Sequence, residues 1–156
     1  MTARPAHQGL PIVHEDVGAA TGVAAAAEPS RPDLRDEDLH ELLVDFYDGI
    51  ARDPLLAPYF VTVDMDAHMP RIVGFWSTLL FHTGRYSGNA FRPHQAMPGL
   101  AAEHFASWVR AMEATVDAHA AGPNAERMKA LAHRIAYSMQ LRLGITPFAD
   151  FRPSAD

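Results

Sequence analysis

Apolar residues recur at helical spacing in four stretches of the chain. In each stretch, large apolar side chains return every three or four residues, which is the spacing of one face of an α-helix. The four stripes are Leu39, Leu42, Leu43, Phe46, Tyr47 and Ile50; His68, Ile72, Phe75, Trp76 and Leu79; Phe105, Trp108, Val109, Met112 and Val116; and Met128, Leu131, Ile135, Met139 and Leu143. No stretch alternates convincingly as a half-buried strand does. The pattern therefore predicts an all-α domain with four main helices, and the connections are long enough to hold further short ones.

The ends of these helices carry their own signals. Acidic residues from Asp33 to Asp38 favour a helix N-terminus before the first stripe, and Asp53-Pro54 ends that helix. We place Pro70 in the first turn of the second helix, where its missing N–H costs little, so this helix should begin near Asp66. The fourth helix should follow the break at Gly122-Pro123-Asn124.

Composition narrows the class of protein. The chain has 156 residues, of which 48% are hydrophobic and 21% charged, as in an ordinary globular domain. The formal net charge of −6 disfavours nucleic acid as a partner. The absence of cysteine excludes disulfides, iron–sulfur ligation, a thiolate-ligated haem and covalent haem attachment. The longest strongly apolar stretch, residues 72–81, is about half the length of a membrane span, so we expect no membrane partner.

The first thirty residues have a different composition. They contain Ala24 to Ala27, scattered Gly and Pro, and few large apolar residues. Glu15 and Asp16 lie where an export signal would need its apolar stretch. We therefore expect a flexible tail over residues 1–31, a folded domain over residues 32–148, a short C-terminal tail over residues 149–156, and a cytoplasmic location. Deleting the N-terminal tail should not affect cofactor binding.

His94 is the main candidate for cofactor chemistry. It lies within Phe91 to Pro98, with a proline on either side, between the second and third apolar stripes. A constrained histidine that faces an apolar crevice suits axial ligation of a flat, iron-bearing cofactor. An ordinary role as a surface loop residue is the alternative.

Three further side chains with polar atoms lie within apolar stripes, namely Tyr47, His68 and Trp108. Taken singly, a tyrosine or a tryptophan in such a stripe is typical of core packing. A histidine in the first turn of a helix is typically exposed to solvent. If the first three helices surround one cavity, however, the three polar tips converge opposite His94. A buried phenol and a buried indole N–H need partners, and a diatomic ligand would supply one. Four other histidines show no metal-ligand spacing with one another and are expected in solvent: His82, His104, His119 and His133.

The order and spacing of these residues resemble the truncated haemoglobins, and within them group III. The resemblance extends from the first apolar stripe to the fourth. The segments that carry it are Phe46-Tyr47, Leu55 to Phe60, His68, Ile72, Phe75-Trp76, Gly84-Arg85-Tyr86-Ser87-Gly88, His94 and Trp108.

The resemblance implies a two-over-two helical sandwich around one haem b. His94 matches the family's proximal iron ligand and is thus the implied metal ligand. Phe60 matches an aromatic residue that packs on the haem. Ile72 matches a position on the distal side, and Trp76 matches a structural tryptophan of the same helix. These four residues form the implied cofactor-binding set.

The resemblance also implies a distal ligand site. Tyr47 matches the family's distal tyrosine, and Trp108 matches its distal tryptophan. His68 and Ile72 match the distal positions of the second main helix, where His68 either reaches the ligand or swings outward.

The implied function is binding of O2, and of gases such as NO or CO, at ferrous haem iron. A charge-assisted hydrogen bond contributes about 1.5–3 kcal/mol, so two donors imply slow release, which suits redox chemistry or scavenging better than carriage. The alternative is a nitric oxide dioxygenase or peroxidase-like enzyme, which would need a separate reductase because the chain has no nucleotide-binding motif. A third, weaker reading is a cofactor-free helical interaction module.

Overall fold

The computed structural model describes residues 31–153. This part forms five α-helices: α1 (Leu39–Ile50), α2 (Met65–Phe81), α3 (Phe91–Gln95), α4 (Ala102–His119) and α5 (Pro123–Arg142). Short 3-10 helices lie at Asp36–Asp38, Ala57–Tyr59 and Ala149–Phe151, and residues 31–153 contain no strand. The prediction of an all-α domain with four main helices is confirmed. The predicted tail over residues 1–31 lies, apart from Arg31, outside the described residues, as do residues 154–156.

The start of α2 differs in detail from the prediction. The Asp64 carboxylate caps the helix by accepting a hydrogen bond from the Ala67 N–H, so α2 begins at Met65. His68 lies in the opening turn as expected. Pro70 is the sixth residue of α2 and therefore lies in the second turn, not the first. Its ring leaves the Asp66 carbonyl without a helical donor, and both residues are exposed to water, which can replace that donor.

The four long helices form two layers. Helix α1 packs against α2 and α4, α4 packs against α5, and α2 reaches α5. This pairing agrees with the two-over-two arrangement that the family resemblance implies. The main core lies between the layers and contains the apolar stripe of α1 together with residues of the other three helices: Leu39, Leu42, Leu43, Phe46, Ile50, Trp76, Met112, Val116 and Met128. Within the described part of the chain, no helix is long and apolar enough to cross a membrane.

Asp33 joins the segment before α1 to the start of α5. Its carboxylate accepts hydrogen bonds from the backbone N–H groups of Leu34, Asn124 and Ala125, at 2.8–3.1 Å. Burial pushes the pKa of Asp33 upward, but the backbone donors outweigh it and hold the pKa below its usual value. Gly122 precedes α5 with φ +146°, and a Cβ there would lie 2.5 Å from the Asp33 Cγ. The close approach therefore requires glycine at this position.

The fold continues past the predicted boundary at residue 148. Phe151 is buried in a second apolar cluster with Phe105, Val109 and Ala136. Its ring packs edge-to-face on His133, with 4.5 Å between ring centroids. Residues 149–151 therefore belong to the packed part of the chain.

Replacing Asp33 with alanine should lower the midpoint of thermal unfolding at neutral pH, because the first N–H groups of α5 lose their acceptor. The pKa of Asp33 is lower in the folded than in the unfolded chain, so its stabilisation is present above the unfolded value of roughly 3.9. This stabilisation is lost as the pH falls through the pKa that Asp33 has in the folded chain. The difference in thermal unfolding midpoint between wild type and Asp33→Ala should thus become smaller in acid. Thermal melts followed by circular dichroism test this, with the exposed Asp48→Ala as the control. A gap that is independent of pH would contradict the assignment.

Candidate functional site

One cavity of about 280 Å³ is lined by residues of all five helices and of the segments between them. Most of its wall is apolar, and no lining residue is acidic. Its size is near the lower end of small-molecule pockets, roughly 300–1,000 Å³. The seven side chains expected at the site all line it: Tyr47, Phe60, His68, Ile72, Trp76, His94 and Trp108. The structure thus brings together residues that lie up to 61 positions apart, from Tyr47 to Trp108.

The short helix α3 positions His94. The Asn89 side chain accepts a hydrogen bond from the Phe91 N–H at its start, and the Phe91 side chain is buried. The Arg142 guanidinium of α5 lies over the Phe91 ring, 3.8 Å from its centroid. These contacts hold a helix of only five residues, too short to be stable alone, against α5.

The tautomer of His94 follows from its hydrogen bond. Nδ1 lies 2.8 Å from the carbonyl oxygen of Ala90. Because a carbonyl only accepts, Nδ1 carries the proton and Nε2 keeps its lone pair. Burial lowers the pKa of His94 below its usual value, and the bond to Ala90 opposes that shift without reversing it. His94 is therefore neutral at neutral pH and offers Nε2 as a metal-ligating nitrogen.

Phe46 fixes two potential donors in the cavity wall. Its ring contacts Tyr47 and Trp108 edge-to-face, with centroid distances of 4.8 and 5.9 Å. The Tyr47 ring also packs on Phe60 at 5.6 Å. Burial raises the pKa of Tyr47, so its hydroxyl stays protonated. Within residues 31–153, neither the Tyr47 hydroxyl nor the Trp108 N–H has a hydrogen-bond partner, so both can donate to a ligand.

Helix α2 forms a wall that changes from exposed to buried along its length. His68 and Arg71 line the cavity but are exposed, which places them at its mouth. Ile72 and Trp76 follow at helical spacing and are 9% and 2% exposed. Arg71 is the one lining side chain among the described residues that is charged at every ordinary pH.

Sequence reasoning missed His104, which lines the cavity and is only partly exposed. Its Nδ1 accepts a hydrogen bond from the Ala101 N–H at 3.0 Å, so the proton lies on Nε2. Tyr59 packs edge-to-face on the His104 ring and donates its hydroxyl proton to the Pro98 carbonyl at 2.7 Å. His104 is four residues before Trp108 and shares its helix face, a signal that could have indicated its place.

Of the four histidines expected in solvent, only His82 is exposed. His119 forms a 2.6 Å contact with Asp45, and His133 packs on Phe151. The expectation was wrong for these two and for His104, because helix packing covers each of them. Further lining residues that the sequence analysis did not assign to the site come mainly from α5 and the connections: Tyr59, Phe75, Tyr86, Met97, Leu100, Ile135 and Met139.

The described residues contain no cluster of three or more His, Asp or Glu side chains that could hold a metal ion. A bare transition metal needs several protein ligands. His94 therefore suits a metal that arrives with most of its ligands already supplied.

A scan against protein-family models and a search of curated proteins found no match for this chain. A search of solved structures found a group III truncated hemoglobin from Campylobacter jejuni, with 24% sequence identity and a TM-score of 0.66. The match covers 73% of this chain and 94% of that chain. The chain therefore has the truncated-globin fold.

The two cavity histidines should be in opposite tautomeric states. His94 bonds a carbonyl and His104 bonds an N–H, so we expect the proton on Nδ1 of His94 and on Nε2 of His104. Nitrogen-15 NMR of the imidazole rings in the cofactor-free chain, above the usual histidine pKa of about 6.5, distinguishes the two states. Assignment rests on comparison with His94→Gln and His104→Gln spectra. The same tautomer at both positions would disprove the assignment.

Proposed function

We propose that the chain is a group III truncated haemoglobin that holds one haem b and binds O2, and also gases such as NO or CO. The observation that supports this most directly is a neutral histidine nitrogen, Nε2 of His94, in a largely apolar cavity, where the described residues form no cluster of three or more metal-ligating side chains. The likeness in fold to a protein named as a truncated hemoglobin supports the same conclusion.

The residues of the cavity fit a haem. One neutral histidine is the protein ligand that an iron porphyrin needs. Phe60, Ile72 and Trp76 offer apolar and aromatic surface for the macrocycle. Arg71, at the mouth, offers a guanidinium for the carboxylates at the edge of such a cofactor. His104 is excluded as the iron ligand as long as its Nδ1 keeps the Ala101 N–H, because its Nε2 then carries a proton.

When bound, ferrous haem supplies the iron at which O2, NO or CO binds. The chain supplies the donors: Tyr47 remains protonated because burial raises its pKa, and Trp108 contributes an indole N–H. A charge-assisted hydrogen bond contributes about 1.5–3 kcal/mol. That corresponds to about one to two decades in affinity. Two such donors give tight binding and slow release, which favours redox chemistry or scavenging over carriage.

Replacing His94 with alanine should abolish stable haem binding, because the Nε2 of His104 carries a proton and His68 is exposed at the mouth of the cavity. The measurement is the Soret band of the purified protein and the rate at which haem transfers to an excess of an apo-globin acceptor. His104→Ala is the matched control, since it removes an imidazole from the same cavity but not the predicted ligand. A wild-type spectrum in His94→Ala, or haem loss in His104→Ala alone, would reassign the ligand. A wild-type protein that takes up no haem would disprove the proposed function.

Replacing Tyr47 with phenylalanine, or Trp108 with phenylalanine, should raise the oxygen dissociation rate by roughly tenfold or more. Tyr47→Phe removes only the hydroxyl, whereas Trp108→Phe also reduces side-chain volume. Carbon monoxide, which is less polar when bound, should respond much less and so serves as the control ligand. Stopped-flow dissociation rates of both gases from both variants decide the matter. Equal, small changes for the two gases would mean that neither donor faces the ligand.

A further inference from the structure

Tyr59 joins two parts of the cavity wall that lie far apart in the chain. Its hydroxyl donates a hydrogen bond to the Pro98 carbonyl oxygen at 2.7 Å, across 39 positions. Tyr59 lines the cavity, and so do Met97 and Leu100, the residues that flank Pro98 and Gly99 in the sequence. Pro98 itself is exposed to solvent. The hydrogen bond therefore lies at the outer edge of the cavity, and we call it the closing bond.

The closing bond connects two short segments outside the long helices. Residues 57–64 contain one 3-10 helix and lead to α2, and residues 96–101 connect α3 to α4. Within residues 31–153, no other hydrogen bond joins these two segments. Gly99 adopts φ +73°, a conformation that glycine reaches without strain. Apart from its chain neighbours, a Cβ there would have only the Tyr59 hydroxyl within 4 Å, at 3.8 Å. The second segment is thus not crowded at this point.

Separate contacts with α4 hold the outer ends of the two segments. Ahead of the first segment, the Ser107 hydroxyl donates a hydrogen bond to the Asp53 carboxylate at 2.9 Å. At the end of the second segment, His104 Nδ1 accepts the Ala101 N–H at 3.0 Å. The four long helices are held by the core. The segments can therefore separate at the closing bond while these anchors and the core stay intact, which is a local opening.

The Tyr59 hydroxyl is not available to a ligand in the cavity. A phenol has one proton to donate, and in Tyr59 that proton is in the bond to Pro98. The Tyr59 ring packs edge-to-face on His104, with 5.5 Å between ring centroids, and this contact holds the phenol in its direction. The role of Tyr59 therefore differs from that of Tyr47, the proposed donor to a gas.

We propose that Tyr59 is a cofactor-retaining residue, whose closing bond holds together the edge of the cavity at which haem enters and leaves. This inference rests on the proposed haem function. The chain has no cysteine for covalent haem attachment, which leaves retention to His94 and to the closure of the cavity. A macrocycle needs a wider opening than a diatomic gas does, so two parts of the wall must separate. The segments joined by the closing bond can do so, whereas α2 packs against α1 and reaches α5.

The test removes the closing bond from the full-length, haem-loaded protein. Tyr59→Phe keeps the ring on His104 and removes only the hydroxyl. Tyr137→Phe is the matched control, because Tyr137 is a partly buried tyrosine of α5 that does not line the cavity. Transfer of ferric haem to an excess of an apo-globin acceptor should be roughly two- to tenfold faster for Tyr59→Phe, the change expected from one hydrogen bond. The rate for Tyr137→Phe should equal that of the wild type.

Two further measurements separate an opening of the cavity from a direct contact with haem or with a gas. Hydrogen exchange followed by mass spectrometry should be faster in residues 57–64 and 96–101 of Tyr59→Phe than in the wild type, and unchanged in α1. The Soret band and the O2 dissociation rate of Tyr59→Phe should be those of the wild type, because the Tyr59 proton is held by Pro98 and not by a ligand.

Unchanged haem transfer in Tyr59→Phe, or an equal increase in Tyr137→Phe, would overturn the retaining role. Faster haem transfer without faster exchange in the two segments would mean that the phenol contacts haem directly, and the closing bond would be rejected as the cause. Faster O2 dissociation would assign the hydroxyl to the gas and overturn the proposal in the same way. If any of these outcomes occurs with a normal Soret band, only the retaining role fails; a wild-type protein that takes up no haem overturns the proposed function and this proposal together.

Discussion

The hydrogen bond from His94 Nδ1 to the Ala90 carbonyl determines what the cavity can bind. It assigns the ring proton to Nδ1, so the lone pair of Nε2 is available to a metal. That bond depends on the fold of α3, and α3 depends on its neighbours: the Asn89 side chain accepts a hydrogen bond from the Phe91 N–H, and the Arg142 guanidinium covers the Phe91 ring. A five-residue helix has too few internal hydrogen bonds to hold such an orientation alone. The chemistry of one imidazole nitrogen therefore depends on packing against α5.

The part of the cavity wall formed by Tyr47 and Trp108 depends on the core residue Phe46 in a similar way. Its ring is 1% exposed and contacts both Tyr47 and Trp108, which come from different helices. Tyr47 is adjacent to Phe46 on α1, so the same helix register that buries Phe46 turns the neighbouring phenol toward the cavity. The positions of the Tyr47 hydroxyl and the Trp108 N–H are thus set by core packing. A change in the packing of Phe46 would move both donors together.

The sequence allowed the long helices to be predicted because each has an apolar stripe with a helical period. It also allowed the seven lining residues to be identified, mainly through their resemblance in order and spacing to a known family. Helix α3 has five residues and no period to detect. The tautomers of His94 and His104 are set by backbone atoms of Ala90 and Ala101, whose direction appears only after folding. The Asp33 contacts with Asn124 and Ala125 join positions 91 and 92 residues apart, which local patterns do not connect.

The cavity holds two donors without a partner in the described chain, the Tyr47 hydroxyl and the Trp108 N–H. Both residues line the cavity, so a ligand there can accept their hydrogen bonds. Burial also lowers the pKa of His94, so the folded chain loses stability as the pH falls into the acid range. The compensating contacts lie elsewhere: the fully buried stripe of α1 and the Asp33 junction with α5. A fold that places its strongest packing away from the cavity can keep unpaired donors there, and these donors are the groups that a polar gas ligand would engage.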